Sequence, residues 1–435
     1  MKIPKYVKYI LDTYHQAGYK AYCVGGCVRD HLLDREPNDY DIATNAPMEV
    51  TLSLFDKTIE TGVKHGTITI LSKEPVEVTV FRTESTYTDH RHPDVVQFVD
   101  TIESDLARRD FTINAMAYNE EEGLIDPFGG QKDLKNRCIR CVGMADIRFQ
   151  EDALRMLRAH RFAAKLGFCI EKGTLEAINR NQDLISYISI ERIRKELLEI
   201  LQYDPFELEA MVELLEPIVP ELKACKECEQ NSVWHDCDVL HHTLRAISYL
   251  EPFDETLAWV LLMHDFGKPE TKSTKDGKDH FYKHPIASKE IAMRLCCTLK
   301  LTNDQRHLIP LLVEVHDDSV HANLRTIYRY RIQKKFTDEM MQQLFIVKYC
   351  DIMAHSKIGQ ESVHGLRTFI DFYEENKKLR PFALKDLPIN GRDVMEHTLK
   401  QGKEIQLFLE QCLSECFYNP KLMDREYWIS RMGKI

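Results

Sequence analysis

The chain has 435 residues, of which 43% are hydrophobic, and it carries a formal net charge of −11 at pH 7. This length predicts two to four domains, and the negative charge argues against a protein that coats nucleic acid non-specifically, because such binding neutralises phosphates with Lys and Arg. No apolar run approaches a membrane span and the N-terminus does not resemble a secretory signal. Thirteen scattered cysteines are typical of a reducing compartment, so we expect a cytoplasmic protein without a membrane partner.

The first predicted elements are a helix over Tyr6 to Ala17, a short apolar strand, a glycine turn and a second helix. Gly25 and Gly26 interrupt the strand, and apolar residues at helical spacing follow them. Glycines let backbone N–H groups approach an anion, a helix N-terminus favours negative charge, and Arg29 adds a fixed cation. The segment therefore predicts a site for a triphosphate.

Two carboxylates follow this turn, Asp39 and Asp41 in DYDIAT. If the segment is a strand, both side chains point to one face and supply the oxygen ligands that Mg²⁺ prefers. The alternative is a surface turn. Two β-rich runs come next, and Glu77 in the second one is either a third carboxylate of the site or an edge residue paired with Arg82. The order of elements predicts a small mixed α/β head.

A polar stretch without periodicity, residues 84–97, predicts a functional loop. After it, Arg109 and Asn114 flank Asp110 in RRDFTIN, where guanidinium and amide groups are suited to contact phosphates or a ribose. The alternative for this charged segment is a solvated cluster. Nine Lys or Arg against four acids over residues 132–165 indicate a focused polyanion site.

A helix is predicted over residues 149–166, FQEDALRMLRAHRFAAKL. Its spacing places Asp152, Arg155 and Arg158 on one face, which is either a salt-bridged surface or a reader of bases. An Asp beside an Arg accepts from an exocyclic amino group and donates to the adjacent ring nitrogen. Cytosine and adenine satisfy both contacts, whereas guanine and uracil satisfy neither.

Eight segments in this order resemble the bacterial class II CCA-adding tRNA nucleotidyltransferases of the poly(A) polymerase superfamily. They are GGCVRD, DYDIAT, ETGVKHGTITI, EVTVFRTE, DHRHPD, RRDFTINAMA, DPFGG and EDALRMLRAHRFAAKLGF. The resemblance covers the first half of the chain. One departure is His90, where the family more often has Gly.

The resemblance implies template-independent addition of C, C and A to the 3′ end of tRNA from CTP and ATP. Asp39 and Asp41 are implied ligands of Mg²⁺, and we add Glu77 to the catalytic set. Asp152 with Arg155 is implied to pair with the incoming base. The residues assigned to nucleotide binding are Gly25, Gly26, Arg29, Arg109, Asp110, Asn114, Asp152, Arg155, Arg158 and Arg161. The amphipathic helix predicted over Ile188 to Leu201, with Ser189 as N-cap, resembles the neck of the family.

The second half carries His242, the pair His264 and Asp265, and Asp351, side chains that suit a divalent metal. Their order resembles the HD phosphohydrolase superfamily, with His284 and His316 as additional ligands. It implies a second divalent metal and phosphodiesterase or phosphatase activity, although HD folds also serve as scaffolds. Two cysteine pairs, Cys225 and Cys228 followed by His235 and Cys237, and Cys138 with Cys141, are weaker zinc patterns.

The predicted fold class is α+β, with a mixed α/β head followed by all-α neck, HD and tail domains. The predicted bounds are 1–130, 131–224, 225–370 and 371–435, and the tail is expected to contact tRNA. Two enzymatic alternatives remain: an A-adding enzyme or poly(A) polymerase on the same fold, and an HD phosphohydrolase with a regulatory nucleotide-binding head. A third is a non-catalytic RNA-binding module.

Overall fold

The computed structural model describes residues 1–62, 66–85 and 95–432. The chain divides into two compact units: Met1–Lys223 with Thr298–Lys300, and Ala224–Cys297 with Leu301–Ile435. The four predicted domains remain a prediction. No helix among the described residues has both the length and the apolar character needed to cross a membrane.

The first unit contains a sheet and helices that begin and end as follows. The strands are β1 Ala21–Val24, β2 Asp41–Thr44, β3 Thr58–Gly62, β4 Thr67–Leu71, β5 Pro75–Val80, β6 Arg82–Ser85, β7 Val95–Phe98, β8 Ala117–Asn119, β9 Gly123–Ile125, β10 Cys138–Ile139 and β11 Cys169–Ile170. The helices are α1 Lys5–Gln16, α2 Gly26–Leu32, α3 Met48–Leu54, α4 Ile102–Ala107, α5 Gly130–Lys135, α6 Ala145–Glu151, α7 Leu154–Leu166, α8 Lys172–Asn181, α9 Ile190–Tyr203, α10 Val212–Leu215 and α11 Glu221–Lys226. Most of the predicted functional loop, residues 86–94, lies outside the described residues, as do residues 63–65 of the TGVKHG motif.

Seven strands form the head sheet in the order β3-β4-β5-β2-β1-β8-β9. β1 is a central strand, and all four of its residues are buried, which explains its continuous apolar sequence. It pairs antiparallel with β2, and Val24 lies opposite Asp41. β2 pairs parallel with β5, and Asp41 lies opposite Glu77. The sheet therefore brings the glycine turn after Val24 to the same edge as both carboxylates.

The predicted helix over residues 149–166 is two helices, α6 and α7, which are separated at Asp152 and Ala153. Asp152 has an extended backbone, with φ −138° and ψ 103°, and its carboxylate accepts a hydrogen bond from the Leu154 amide at 3.1 Å. An Asp that binds the backbone two residues ahead competes with the helix. The prediction of one helix was therefore wrong at this position, whereas α1, α2 and α9 confirm the helices predicted there.

Between residues 224 and 432, the second unit consists of helices, one hairpin and the connections between them. Its helices are α12 Val239–Ser248, α13 Glu255–Met263, α14 Lys268–Thr271, α15 His284–Thr298, α16 Asn303–Val315, α17 Leu324–Tyr328, α18 Asp338–Ala354, α19 Lys357–Gln360, α20 Val363–Lys377, α21 Gly391–His397, α22 Lys403–Tyr418 and α23 Arg425–Met432. Residues 257–263 of α13 are all buried, so this apolar helix lies in the core of the unit. The mixed α/β sheet and the helical remainder confirm the predicted α+β class.

One short hairpin lies within the largely helical second unit. It joins β12 Ser273–Lys275 to β13 Lys278–His280. Asp276 and Gly277 between them both have positive φ, 53° and 72°. An Asp-Gly pair with two positive φ values favours the tight turn of a two-residue hairpin, a signal present in the sequence.

Candidate active sites

The glycine turn, Arg29 and Arg109 meet at the end of β1. Gly25 has φ +74°, a backbone conformation that favours glycine, and a Cβ built there would lie 2.8 Å from Arg109 Nη1. Arg29 is buried and donates to Asn114 Oδ1 at 2.7 Å and to Asp30 Oδ1 at 2.8 Å. Two guanidinium groups are thus fixed around the turn predicted to hold a triphosphate.

Three exposed carboxylates occupy the adjoining sheet edge, those of Asp39, Asp41 and Glu77. The pKa of Asp41 is raised to about 6, chiefly because the surrounding protein removes its carboxylate from water and also because Asp39 and Glu77 are negatively charged, while the charge of Arg109 opposes these effects. Asp39 precedes β2 and does not lie within it. The alternation of side chains along a strand, from which we predicted that Asp39 and Asp41 share a face, therefore does not determine the position of Asp39. The mutual repulsion of these oxygen ligands is what a divalent cation relieves, so the residue set fits such an ion.

A buried acid that the sequence analysis missed holds the two arginines of RRD. Asp105 is fully buried and accepts from Arg108 at 2.8 and 3.0 Å and from Arg109 at 3.4 Å. Burial alone would raise the pKa of Asp105, but Arg108 and Arg109 outweigh it and lower that pKa. The only sequence signal was the spacing of three and four residues between the acid and the arginines.

Asn114 and Asp110 connect Arg29 to helix α7. The Asn114 amide donates to Asp110 Oδ1 at 3.2 Å, and Arg158 donates to Asp110 Oδ2 at 2.9 and 2.5 Å. Burial would raise the pKa of Asp110, yet Arg158 lowers it to about 2. Four of the predicted nucleotide-binding residues therefore form one connected chain. Arg161 serves another contact, because its Nε donates to Glu196 at 2.6 Å.

Asp152 and Arg155 have separate partners in the structure. Asp152 pairs with Arg192 of α9 at 3.0 Å. Arg155 is buried and donates to Glu151 Oε2 at 2.6 Å and to the Arg108 carbonyl at 2.9 Å. The break between α6 and α7 explains why helical spacing did not bring the two side chains together. Their joint contact with a base stays a prediction, and Arg192 is a neighbour that the sequence analysis did not identify.

A second cluster lies in the helical unit, where Asp265 lies between two pairs of imidazoles. Its Oδ2 is 3.2 Å from His264 Nε2 and 3.7 Å from His242 Nε2. Its Oδ1 is 3.3 Å from His284 Nε2 and 3.6 Å from His316 Nε2. Neighbouring ligands of a tetrahedral ion bound at 2.0 to 2.1 Å are about 3.4 Å apart. The predicted residues thus form two groups of three potential ligands that share Asp265.

Asp351 completes this cluster, with its Oδ1 3.0 Å from His242 Nε2. The Nε2 of His264 and the Oδ1 of Asp265 are buried and make no hydrogen bond within the described residues. Burial lowers the pKa of His264, but Asp265 and Asp351 outweigh it and raise that pKa to about 10. Buried carboxylates that attract positive charge this strongly, next to unpaired ligand atoms, fit a divalent metal.

The weaker zinc pattern around Cys225 and Cys228 is not assembled. His235 packs against the rings of His242 and His355, with centroids 5.0 and 4.8 Å away. Across residues 1–62, 66–85 and 95–432, no cysteine belongs to a group of three potential metal ligands. His235 and His355 instead line a cavity of about 330 Å³ in front of the histidine and aspartate cluster.

Two segments match known domain families. Residues 21–140 match the Poly A polymerase head domain, and residues 167–226 match the probable RNA and SrmB-binding site of polymerase A. The first segment contains the glycine turn, the three carboxylates and the arginines of RRD.

The sequence is also similar to curated CCA-adding enzymes. It is 52% identical to that of Lactobacillus delbrueckii subsp. bulgaricus over 192 residues, 44% of this chain and 48% of the relative. It is 49% identical to that of Geobacillus thermodenitrificans over 208 residues, 48% of this chain and 51% of the relative. The chain therefore spans about half the length of the curated relatives that it matches.

Solved structures extend the similarity in fold. The Bacillus stearothermophilus CCA-adding enzyme in complex with CTP has a TM-score of 0.71 and 27% identity, covering 100% of this chain and 98% of that chain. The Thermotoga maritima CCA-adding enzyme complexed with tRNA has a TM-score of 0.61 and 20% identity, covering 99% and 95%. The second likeness shows the fold alone.

Proposed function

We propose that this chain belongs to the poly(A) polymerase and tRNA nucleotidyltransferase superfamily and adds C, C and A to the 3′ end of tRNA from CTP and ATP. The observation that carries the proposal is the register of the head sheet, which joins the glycine turn after Val24 to Asp41 and Glu77 at one edge. The printed name of the curated relatives, CCA-adding enzyme, supports the addition of C, C and A, and the similar Bacillus stearothermophilus enzyme was solved in complex with CTP. A cytoplasmic location goes with this proposal.

The residues at the sheet edge have two different roles in phosphoryl transfer. Arg29 and Arg109 flank the turn and hold the triphosphate so that its α-phosphate faces the tRNA 3′-hydroxyl in line. Asp39, Asp41 and Glu77 hold Mg²⁺, which when bound supplies charge stabilisation for the attacking hydroxyl and the leaving pyrophosphate. Because these groups are fixed before the reaction, they stabilise charge without reorganising.

The test uses tRNA that lacks its last three nucleotides, with CTP and ATP supplied separately and together, and products resolved at single-nucleotide length. Addition of two C residues and then one A is the expected result. If the protein ignores CTP and adds only A, the A-adding or poly(A) alternative replaces the proposal.

Base selection is assigned to Asp152 and Arg155, with Arg192 as the residue that orients Asp152. Replacing Arg192 by Met is expected to reduce the preference for CTP and ATP over GTP and UTP about tenfold. The reason is that the Asp152 carboxylate loses the ion-pair partner that orients it toward the base. The measurement is kcat/KM for the four nucleotides. Arg180→Met is the matched control, since Arg180 forms an exposed pair with Asp146. An unchanged preference in Arg192→Met would remove Arg192 from base selection.

We assign to Asp105 the role of holding the Arg109 side chain next to the glycine turn. Asp105→Asn keeps the shape but weakens the charge-assisted bonds to the arginines, so we expect KM for both CTP and ATP to rise about tenfold with a smaller change in kcat. Steady-state kinetics with each nucleotide measure this. The control is Asp12→Asn, an acid of α1. Equal kinetics of Asp105→Asn and the wild type would exclude this role.

A second candidate function, metal-dependent hydrolysis of phosphate esters, belongs to the helical unit. The supporting observation is that Asp265 bridges two three-ligand groups at ligand spacing, and paired metals suit phosphate-ester hydrolysis. Its test is release of phosphate from p-nitrophenyl phosphate in the presence of Mn²⁺. If the protein neither binds metal nor hydrolyses the ester, the proposed hydrolase function is wrong and the helical unit serves as a scaffold. The predicted bounds of the neck, HD and tail domains, and contact of the tail with tRNA, belong to the first proposal, nucleotide addition to tRNA.

A further inference from the structure

Two cysteines from separate segments of the first unit lie opposite each other in a short parallel ladder. Cys138 of β10 and Cys169 of β11 are register partners. The Cys169 amide donates to the Arg137 carbonyl at 3.0 Å, and the Glu171 amide donates to the Ile139 carbonyl at 2.9 Å. These two hydrogen bonds fix the register that brings the cysteines together.

The sequence analysis grouped Cys138 with Cys141 as a weak zinc pattern, but the structure gives these two residues different surroundings. Cys141 is only 3% exposed, it forms an isolated bridge with Phe111, and its amide donates to the Thr174 hydroxyl at 3.3 Å. Cys138 is half-buried and Cys169 is exposed. The pair that a reagent in solution can reach is therefore Cys138 with Cys169.

The spacing of the ladder suits a bond between the two sulfur atoms. Neighbouring strands lie about 4.7 to 4.9 Å apart, and residues that are directly paired project to the same face of the ladder. A disulfide joins residues whose Cα atoms are about 4.4 to 6.8 Å apart. Both thiols are free in the structure, so Cys138 and Cys169 form a reduced dithiol at bonding distance for the backbone.

The two thiols differ in the order in which they react. Cys169 is exposed, so an oxidant reaches it first. Burial and the charge of Asp133 raise the pKa of the Cys138 thiol, and Arg140 opposes this rise. Arg140 is held beside Cys138 by Asp133 and Glu171, each at 3.2 Å. A fixed cation favours the thiolate, so Cys138 is suited to attack an oxidised Cys169.

We propose that Cys138 and Cys169 form a reversible modification site, at which a peroxide joins β10 to β11 by a disulfide. The Cys169 thiolate attacks one oxygen of hydrogen peroxide, the O–O bond breaks, and a sulfenic acid and hydroxide are formed. The Cys138 thiolate then attacks that sulfur, the S–S bond forms, and the S–O bond breaks to release a second hydroxide. The two protons lost by the thiols convert both hydroxides to water, and the peroxide has accepted two electrons.

The disulfide joins two segments that support the proposed nucleotide site. The strand β10 leads into Arg140 and Val142, whose backbone groups bond to Thr112 at 2.9 Å and to Asp110 at 3.1 Å. The strand β11 follows α7, which carries the Arg158 partner of Asp110. Because the bond forms between residues that are already register partners, we expect oxidation to stabilise this arrangement. Exposed disulfides are labile, so a dithiol reverses the change.

Peptide mapping of the full-length protein tests the site directly. The protein is treated with hydrogen peroxide, its remaining thiols are alkylated, and it is digested with trypsin without reduction. The expected product is the peptide CIR, residues 138–140, linked to LGFCIEK, residues 166–172. A link from CIR to CVGMADIR, residues 141–148, a link between two copies of LGFCIEK, or no link would each overturn the inference.

Thermal melting tests the stabilising role. The oxidised wild type is expected to melt about 5 °C above the reduced protein, and dithiothreitol should reverse this shift. Cys138→Ser and Cys169→Ser should abolish the shift, whereas the control Cys297→Ser, which removes an exposed thiol of the other unit, should keep it.

A linked peptide without a rise in melting temperature, or a rise that persists in Cys169→Ser, would contradict the stabilising role. Neither mapping nor melting requires tRNA or a nucleotide. The outcome is therefore independent of the proposed nucleotide addition, whose failure would leave the disulfide inference standing.

Discussion

Asp41→Asn should lower the rate of CTP and ATP addition about a thousandfold or more, with little change in tRNA binding. Asp41 lies at the centre of the sheet edge, opposite Glu77 and beside the glycine turn, so its substitution removes a charged ligand from the proposed Mg²⁺ site. Loss of one group that stabilises transition-state charge already costs about a hundredfold to a thousandfold. Single-turnover addition to tRNA measures the effect.

The stability of the same variant tests the local electrostatics independently. The folded pKa of Asp41 is raised to about 6, so the folded state binds this proton more readily than the unfolded chain does. The contribution of Asp41 to the free energy of unfolding is therefore stabilising at low pH, and it is lost as the pH rises through 6. In EDTA at pH 7, Asp41→Asn should melt at the same temperature as the wild type or higher, and the advantage should vanish near pH 4.

Asp56→Asn, which changes an exposed acid of the same unit, is the control for both measurements and should leave addition and melting unchanged. If Asp41→Asn adds nucleotides at the wild-type rate, the sheet edge is not the catalytic centre. If it is inactive but melts earlier at pH 7, the loss of activity reflects damage to the fold.

The sequence was sufficient for those features of the head that local chemistry determines. Gly25 is favoured by a positive φ, so strand, turn and helix could be predicted together. Asp41 and Glu77 were both identified, but their register depends on the pairing of β2 with β5, which spacing along one strand does not reveal. Asp39 lies outside the strand, and its place near Asp41 depends on the loop before β2.

Contacts between distant segments account for what could not be predicted. Asp152 leaves the helical conformation because its own side chain binds the Leu154 amide, and it then pairs with Arg192, which is 40 residues away in the chain. Lys268 and Gln230 are separated by 38 residues, so spacing along the chain does not reveal their contact. By contrast, imidazoles and carboxylates near the ends of apolar helices carry a chemical signal of their own, so the cluster around Asp265 could be predicted from residue type.

Asp265→Asn is expected to remove both divalent ions from the helical unit and to lower phosphate-ester hydrolysis at least a hundredfold, with nucleotide addition unchanged. The reason is that Asp265 belongs to both three-ligand groups, whereas the residues proposed for addition all belong to the other compact unit. The manganese content of the purified protein, together with both activities, measures this. Asp276→Asn, at an exposed turn position that tolerates Asn, is the matched control.

His284→Gln makes the prediction quantitative, because His284 belongs to only one of the two groups. It should remove one manganese ion per chain where Asp265→Asn removes two, and metal titration of the two variants distinguishes these results. Loss of equal metal from both variants would mean that the groups bind a single ion, and retention of both ions in Asp265→Asn would mean that this carboxylate does not bridge them. Loss of addition in Asp265→Asn would instead favour an enzyme in which the helical unit contributes to the first reaction.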